Sequence, residues 1–270
     1  LDFVGSLRIR AAPEEAAAKM RHALGMDMEA RAVMATWAEA LRRFVEQADN
    51  LGALVMCSGV VLNNNRRKLA PDEFRGFALT DDLAPLIFIN GSDSKSAQMF
   101  TLAHELAHLW LGQSALSDAA PTSIPDHAVE GWCNRVAAEL LVPLGVLEGQ
   151  LSSRRLHADQ DLLTKELPRL TRQFKVSSLV MLRRIHDAGR LTRSDFHTAY
   201  EAELQRLREL PKGSGGDFYL TQSARASKRF VRALVVSTTE GDTLYRDALR
   251  MLGITKVETL QELGRSLDVL

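Results

Sequence analysis

The sequence has few cysteines: two in 270 residues, Cys57 and Cys133, 76 positions apart. No signal-peptide pattern is seen before them, which argues against a disulfide framework and for free thiols in a reducing cytoplasm. It has no excess of charge, since 34 Lys and Arg stand against 34 Asp and Glu. That excludes a bulk polycation built for nucleic acid. It lacks any apolar run near the ~20 residues of a membrane-spanning helix, because its Leu, Ala and Val stretches are interrupted by charge. It lacks internal repeats and low-complexity tracts, and it lacks an initiator Met, so a segment is expected to have preceded Leu1. What is present is ordinary for a folded protein: 46% hydrophobic and 25% charged residues are enough for a core of one or two domains.

Three regions follow from the patterning. Residues 1–50 read as an N-terminal helical segment, with two helices between Pro13 and Asn50 stopped by Gly25 and Gly52. Residues 51–210 begin with short apolar runs, Ala53 to Cys57, Phe74 to Leu79 and Leu86 to Ile89, that predict a small sheet of two to four strands. Helical patterning then continues to about Leu210, with breaks at Gly112 to Pro125, Pro143, and Gly189 to Arg193. The Pro-Lys-Gly-Ser-Gly-Gly run after Leu210 reads as a linker. Residues 211–270 then form a small α+β unit with strands at Asp217 to Thr221 and Leu234 to Ser237, and helices at Tyr245 to Leu252 and Leu260 to Leu267.

The chemistry is concentrated in Phe100 to Gly112, which contains the pattern H-E-x-x-H. On a helix capped by Ser94 and ended by Gly112, His104 and His108 lie one turn apart on one face and can share a zinc ion. Glu105 is then offset towards a metal-bound water, as a general base requires. The pattern arises by chance in roughly one chain of this length in a hundred. A catalytic zinc site also needs a third protein ligand and an open position. Asp118, Asp126, His127, Glu130 and Glu139 are in range; Glu130 opens a helical stretch with Asn134 one turn on, placed to orient a ligand histidine. Spacing alone leaves Glu130 balanced between ligand and solvated carboxylate at a helix start. Glu139 reads as a cap or ion-pair partner, and Cys133, inside an apolar run, as core. Tyr200, His127 and Arg135 are oxyanion-stabilising candidates by residue type only.

Phe100 to Gly112 followed by Glu130 to Pro143 resembles the ImmA/IrrE family of metallo-endopeptidases. That family's pattern is an F-T-x-x-H-E-x-x-H helix followed by an E-x-x-x-N/D helix ending in L-L-x-P. Phe74 to Leu79, Pro85 to Asn90 and Val176 to Gly189 are similar to further segments of the family, so the resemblance spans roughly Leu51 to Phe196. It implies an α+β, mainly helical, zincin-like core with a small sheet packed on the H-E-x-x-H helix. It makes His104, His108 and Glu130 the zinc ligands and Glu105 the catalytic base, and it decides between the two readings of Glu130. It implies a protein substrate, a helix-turn-helix repressor cut on stress or mobile-element induction, and a helix-turn-helix domain before Leu1. A regulatory binding module, or the effector half of a fused transcription factor that does not cut, is the alternative. The basic clusters Arg66-Arg67-Lys68, Arg154-Arg155 and Arg183-Arg184 read as solvated surface, and Leu162 to Leu191, despite a helix-turn-helix outline, as a supporting bundle without direct nucleic-acid contact.

Overall fold

The structure, a computed structural model, describes residues 1–61, 64–117, 128–151, 160–209 and 226–270. The expected linker and the strand expected at Asp217 to Thr221, together with Asp118, Asp126, His127, Arg154, Arg155 and His157, lie outside these residues.

The N-terminal segment holds three helices where two were expected: α1 (Pro13–Leu24), α2 (Met28–Val33) and α3 (Trp37–Leu51). The extra start comes from Asp27, whose carboxylate accepts the Glu29 and Ala30 amides and caps α2 just after Gly25 closes α1. Thr36 caps α3, and the Glu39 side chain reaches back to the Ala35 amide at 2.9 Å.

Strands β1 (Leu54–Ser58), β4 (Gly76–Leu79), β5 (Leu86–Asn90) and β6 (Ala115–Ser117) make one sheet, ordered β1-β5-β4-β6. Only β1 and β5 are parallel; β4 is antiparallel to both of its neighbours. A hairpin of β2 (Val60–Val61) and β3 (Asn64–Lys68) fills part of the β1 to β5 crossover and carries the exposed Arg66, Arg67 and Lys68.

One face of the sheet lies on α4 (Lys95–Leu111), which also packs on α3 and on α5 (Ala128–Leu141). From Thr101 to Leu111 every side chain of α4 is buried. That accounts for an H-E-x-x-H helix with no polar face, since a helix enclosed on all sides has no solvent stripe to keep polar. Helices α6 (Leu144–Gln150), α7 (Gln160–Phe174), α8 (Ser178–Asp187) and α9 (Arg193–Glu209) complete this unit, with Pro143 before α6 and Ser177 capping α8. Met181, Leu182, Arg184 and Ile185 of α8 are buried in the main core, so the second helix of the helix-turn-helix outline is built into the bundle.

The elements of the described C-terminal residues are all helices: α10 (Lys228–Glu240), α11 (Tyr245–Leu252) and α12 (Val257–Ser266), around a second core. The strand expected at Leu234 to Ser237 is a correction, because these residues lie inside α10. Val231, Leu234, Val235 and Thr238 are the buried positions, spaced 3, 1 and 3 apart. Helical periodicity with Ser227 as cap outweighs the β preference of the Val-Val pair. Asp49 of α3 joins the two units by accepting from the Ser227 hydroxyl and, at 3.1 Å, from the Arg229 amide.

Candidate metal centre

Each end of α4 is closed locally. The Ser94 hydroxyl accepts the Ala97 amide at 3.3 Å, and Gly112 takes the left-handed conformation, φ 69°, that ends the helix. The N-terminal residues, for which the sequence offered no pattern, complete the C-terminal end. The Gly5 amide donates to the Leu109 carbonyl at 3.0 Å and the Leu7 amide to that of Trp110 at 2.9 Å, while the Phe3 ring lies 4.5 Å from that of Trp110. A side chain at Gly112 would start 2.9 Å from the Gly5 Cα, so the crossing requires glycine twice over.

One turn apart on this helix, the His104 and His108 Nε2 atoms are 3.1 Å from each other. The Glu130 carboxylate, in the first turn of α5, approaches both: Oε2 is 3.0 Å from His104 Nε2 and Oε1 is 3.2 Å from His108 Nε2. One ligand atom from each of the three residues lies within 4.8 Å of the others, and among the described residues they form a group able to hold a metal ion. Both histidines are almost fully buried, whereas the Glu130 side chain is 30% exposed, which leaves one side of the group towards solvent.

Asn134, one turn along α5, places its Oδ1 3.0 Å from His104 Nδ1. An amide oxygen only accepts, so the His104 proton sits on Nδ1 and its Nε2 lone pair faces Glu130 and His108. Burial lowers the His104 pKa, outweighing Glu130, which raises it. The His104 Nε2 lone pair, His108 Nε2 and the Glu130 carboxylate thus converge at 3.0 to 3.2 Å, where one cation could be shared by all three. Donors each ~2.0–2.1 Å from one tetrahedral zinc stand about 3.3 Å apart, close to these separations. The donor set, two imidazoles and a carboxylate with one imidazole oriented by a partner, fits zinc.

Glu105 is completely buried, and its Oε1 lies 3.3 Å from the point where a Cβ would project from Gly76 of β4. The same point is 2.6 Å from Thr101 Cγ2 and 2.7 Å from the Phe88 carbonyl oxygen. Only glycine lets β4 lie this close to the helix. A glycine inside an apolar strand is the signal that could have found Gly76 from sequence.

Other residues fall outside the group. Glu139 pairs with Arg184 and accepts the Leu144 amide with both oxygens at 3.3 Å, acting as ion-pair partner and as cap of α6. Burial pushes the Cys133 thiol far up, which keeps it protonated and apart from the metal-binding group. Tyr200 packs against Phe196 and Arg135 is exposed on α5; neither hydrogen-bonds to the three residues.

Two histidines from one helix and a glutamate from the next define a metallopeptidase type of domain. The family described as the IrrE N-terminal-like domain, Peptidase M78, matches residues 48–186, and the chain belongs to that family. Residues 226–266 match a domain of unknown function (DUF8813), which coincides with the helices α10 to α12. None of the curated proteins matches the chain. Among the described residues, no helix is long and apolar enough to cross a membrane.

Proposed function

We propose that the protein is a zinc-dependent endopeptidase that cleaves a transcriptional regulator, with His104, His108 and Glu130 as metal ligands and Glu105 as general base. The observation that carries the reading is the convergence of His104 Nε2, His108 Nε2 and the Glu130 carboxylate at 3.0 to 3.2 Å, with Glu105 next in sequence to His104. Zinc bound there supplies Lewis-acid polarisation of the scissile carbonyl and makes a water molecule acidic enough to lose a proton near neutral pH. Glu105 accepts that proton from the attacking water and passes it to the departing amine, so the carboxylate is regenerated in each turnover. Its enclosure by Gly76 and α4 keeps bulk water from competing for the proton. Asn134 holds the His104 ring so that Nε2, and not Nδ1, faces Glu130 and His108, as a ligand to a shared metal would need.

The substrate proposal, a helix-turn-helix repressor cut in the cytoplasm on stress or mobile-element induction, rests on the family. Helices α10 to α12, joined to α3 through Asp49, provide a second unit through which a regulator could be presented or a signal received. The competing reading is a binding module that holds its regulator without cutting it, but a buried carboxylate beside the metal-binding group serves no purpose in a pure binder. Incubation with candidate repressors and zinc, comparing wild type with Glu105→Gln, separates the two. Cleavage by wild type that falls about 10²- to 10⁴-fold in the variant, with zinc retained, supports the peptidase. Complex formation by both proteins without a cut fragment supports the binding module.

A further inference from the structure

Helix α5 carries Glu130 in its first turn and Asn134 in its second, so its position along its own axis determines where both meet α4. The two helices pack together, and both bury small side chains, Ala103 and Ala107 in α4 and Cys133 and Ala137 in α5. Apolar contact of this kind is non-directional, so it opposes separation more strongly than sliding. A metal site tolerates misplacement of only about 0.5 Å.

Directional contacts occur at the opposite end of α5. The last carbonyls of a helix have no partner within it, and here three are taken by arginines from three different helices. Arg21 of α1 donates to the Glu139 carbonyl at 2.7 Å, Arg31 of α2 to that of Leu141, and Arg184 of α8 to that of Val142 at 2.9 Å. Arg31 also donates to the Phe174 carbonyl at the end of α7, and Arg184 to the Glu139 carboxylate, which in turn caps α6. Arg31 and Arg184 are 4% and 5% exposed. Burial, with Arg21 adding to it, brings the Arg31 pKa down to about 10. Burying the Arg31 guanidinium against carbonyls, with no carboxylate among its hydrogen-bond partners, is costly, and apolar side chains would close this core at less expense. What arginines add is direction, since each N–H fixes its carbonyl along the helix axis.

We propose that Arg21, Arg31 and Arg184 are positioning residues that clamp the C-terminal carbonyls of α5 and thereby hold Glu130 and Asn134 in register with His104 and His108. The inference rests on the zinc reading above. Its test is the double variant Arg184→Met/Glu139→Leu, which removes the buried ion pair and leaves behind only Asp187, a partly exposed second partner of Arg184 that also lies 3.9 Å from Arg183, a replacement that often leaves stability unchanged. Three quantities are measured on wild type and variant: the unfolding midpoint of the metal-free protein, the zinc dissociation constant by chelator competition, and the visible spectrum of the Co²⁺-substituted protein.

The clamp predicts a midpoint within a few degrees of wild type, zinc binding weaker by about tenfold to a hundredfold, and an altered Co²⁺ spectrum. Arg184→Lys, which keeps one donor for the Val142 carbonyl, should recover part of the affinity. Arg21→Met, at a half-buried position, removes a single clamp contact with the fold intact and should weaken zinc binding several-fold. Zinc affinity and Co²⁺ spectrum unchanged in both the double variant and Arg21→Met would overturn the clamp while leaving the metal site standing. A wild-type protein that binds no zinc would instead overturn the zinc reading, and the clamp's purpose with it.

Discussion

Replacing Gly76 by Ala tests the closest approach between sheet and helix. The added methyl group would sit 2.6 Å from Thr101 Cγ2, 2.7 Å from the Phe88 carbonyl oxygen and 3.3 Å from Glu105 Oε1. Thr101 is 5% exposed and its methyl has little room to turn aside, while the Phe88 oxygen belongs to the paired strand β5 and moves only with its backbone. Overpacking of a core costs about 1–3 kcal/mol, and a main-chain neighbour puts this case at about 2–3 kcal/mol on the same scale. For a protein of this size that corresponds to a fall in Tm of about 5–10 °C. The strand must also retreat from Glu105, so turnover should fall about tenfold or more even with zinc bound, as small misplacements of reacting groups do. Thermal unfolding followed by circular dichroism gives the first quantity and zinc titration shows whether the metal group survives. Thr101→Ser in the Gly76→Ala background removes one of the two clashes and should recover part of the loss beyond additivity. Gly76→Ala melting at the wild-type temperature would refute the steric argument.

Asn134→Ala removes the acceptor that fixes the His104 tautomer; zinc affinity measured by chelator competition should fall about 10- to 100-fold with little change in the fold. Asp49→Ala removes the carboxylate that caps α10 from α3; the expected cost is about 0.5–2 kcal/mol, read as faster amide exchange in the first turn of α10. Arg184→Met alone, unlike the double variant with Glu139→Leu, strands a buried carboxylate; chemical denaturation should show a loss of about 3–5 kcal/mol.

The residues of the candidate metal group were legible where their chemistry is local, although spacing alone left Glu130 open and the family resemblance singled it out. Four of the six, His104, Glu105, His108 and the Ser94 cap, belong to one helix whose period fixes their relative directions, and Glu130 with Asn134 repeats the pattern one helix later. The strands at 54–58, 76–79 and 86–90 were legible because Gly, Pro and Asn bound short apolar runs. Features that depend on distant partners were not. Nothing near Gly5 or Leu7 shows that their amides will satisfy the end of α4, a hundred residues away in sequence. Arg21, Arg31 and Arg184 look like surface charges until the helix ends they cap are brought to them. Leu234 to Ser237 misled because so short a run, three apolar residues and a serine, has no period of its own. Only the burial of Val231 and Thr238 on either side shows a helical face.

The central claim is that these three side chains hold zinc. Metal content by mass spectrometry, on untagged protein purified without chelator, tests it most directly when wild type is compared with Glu130→Ala. The account predicts about one zinc per wild-type chain and markedly weaker retention in the variant, which keeps the two imidazoles but loses the carboxylate. A wild-type protein that takes up no zinc even when it is supplied, or a variant that retains it equally well, would contradict it.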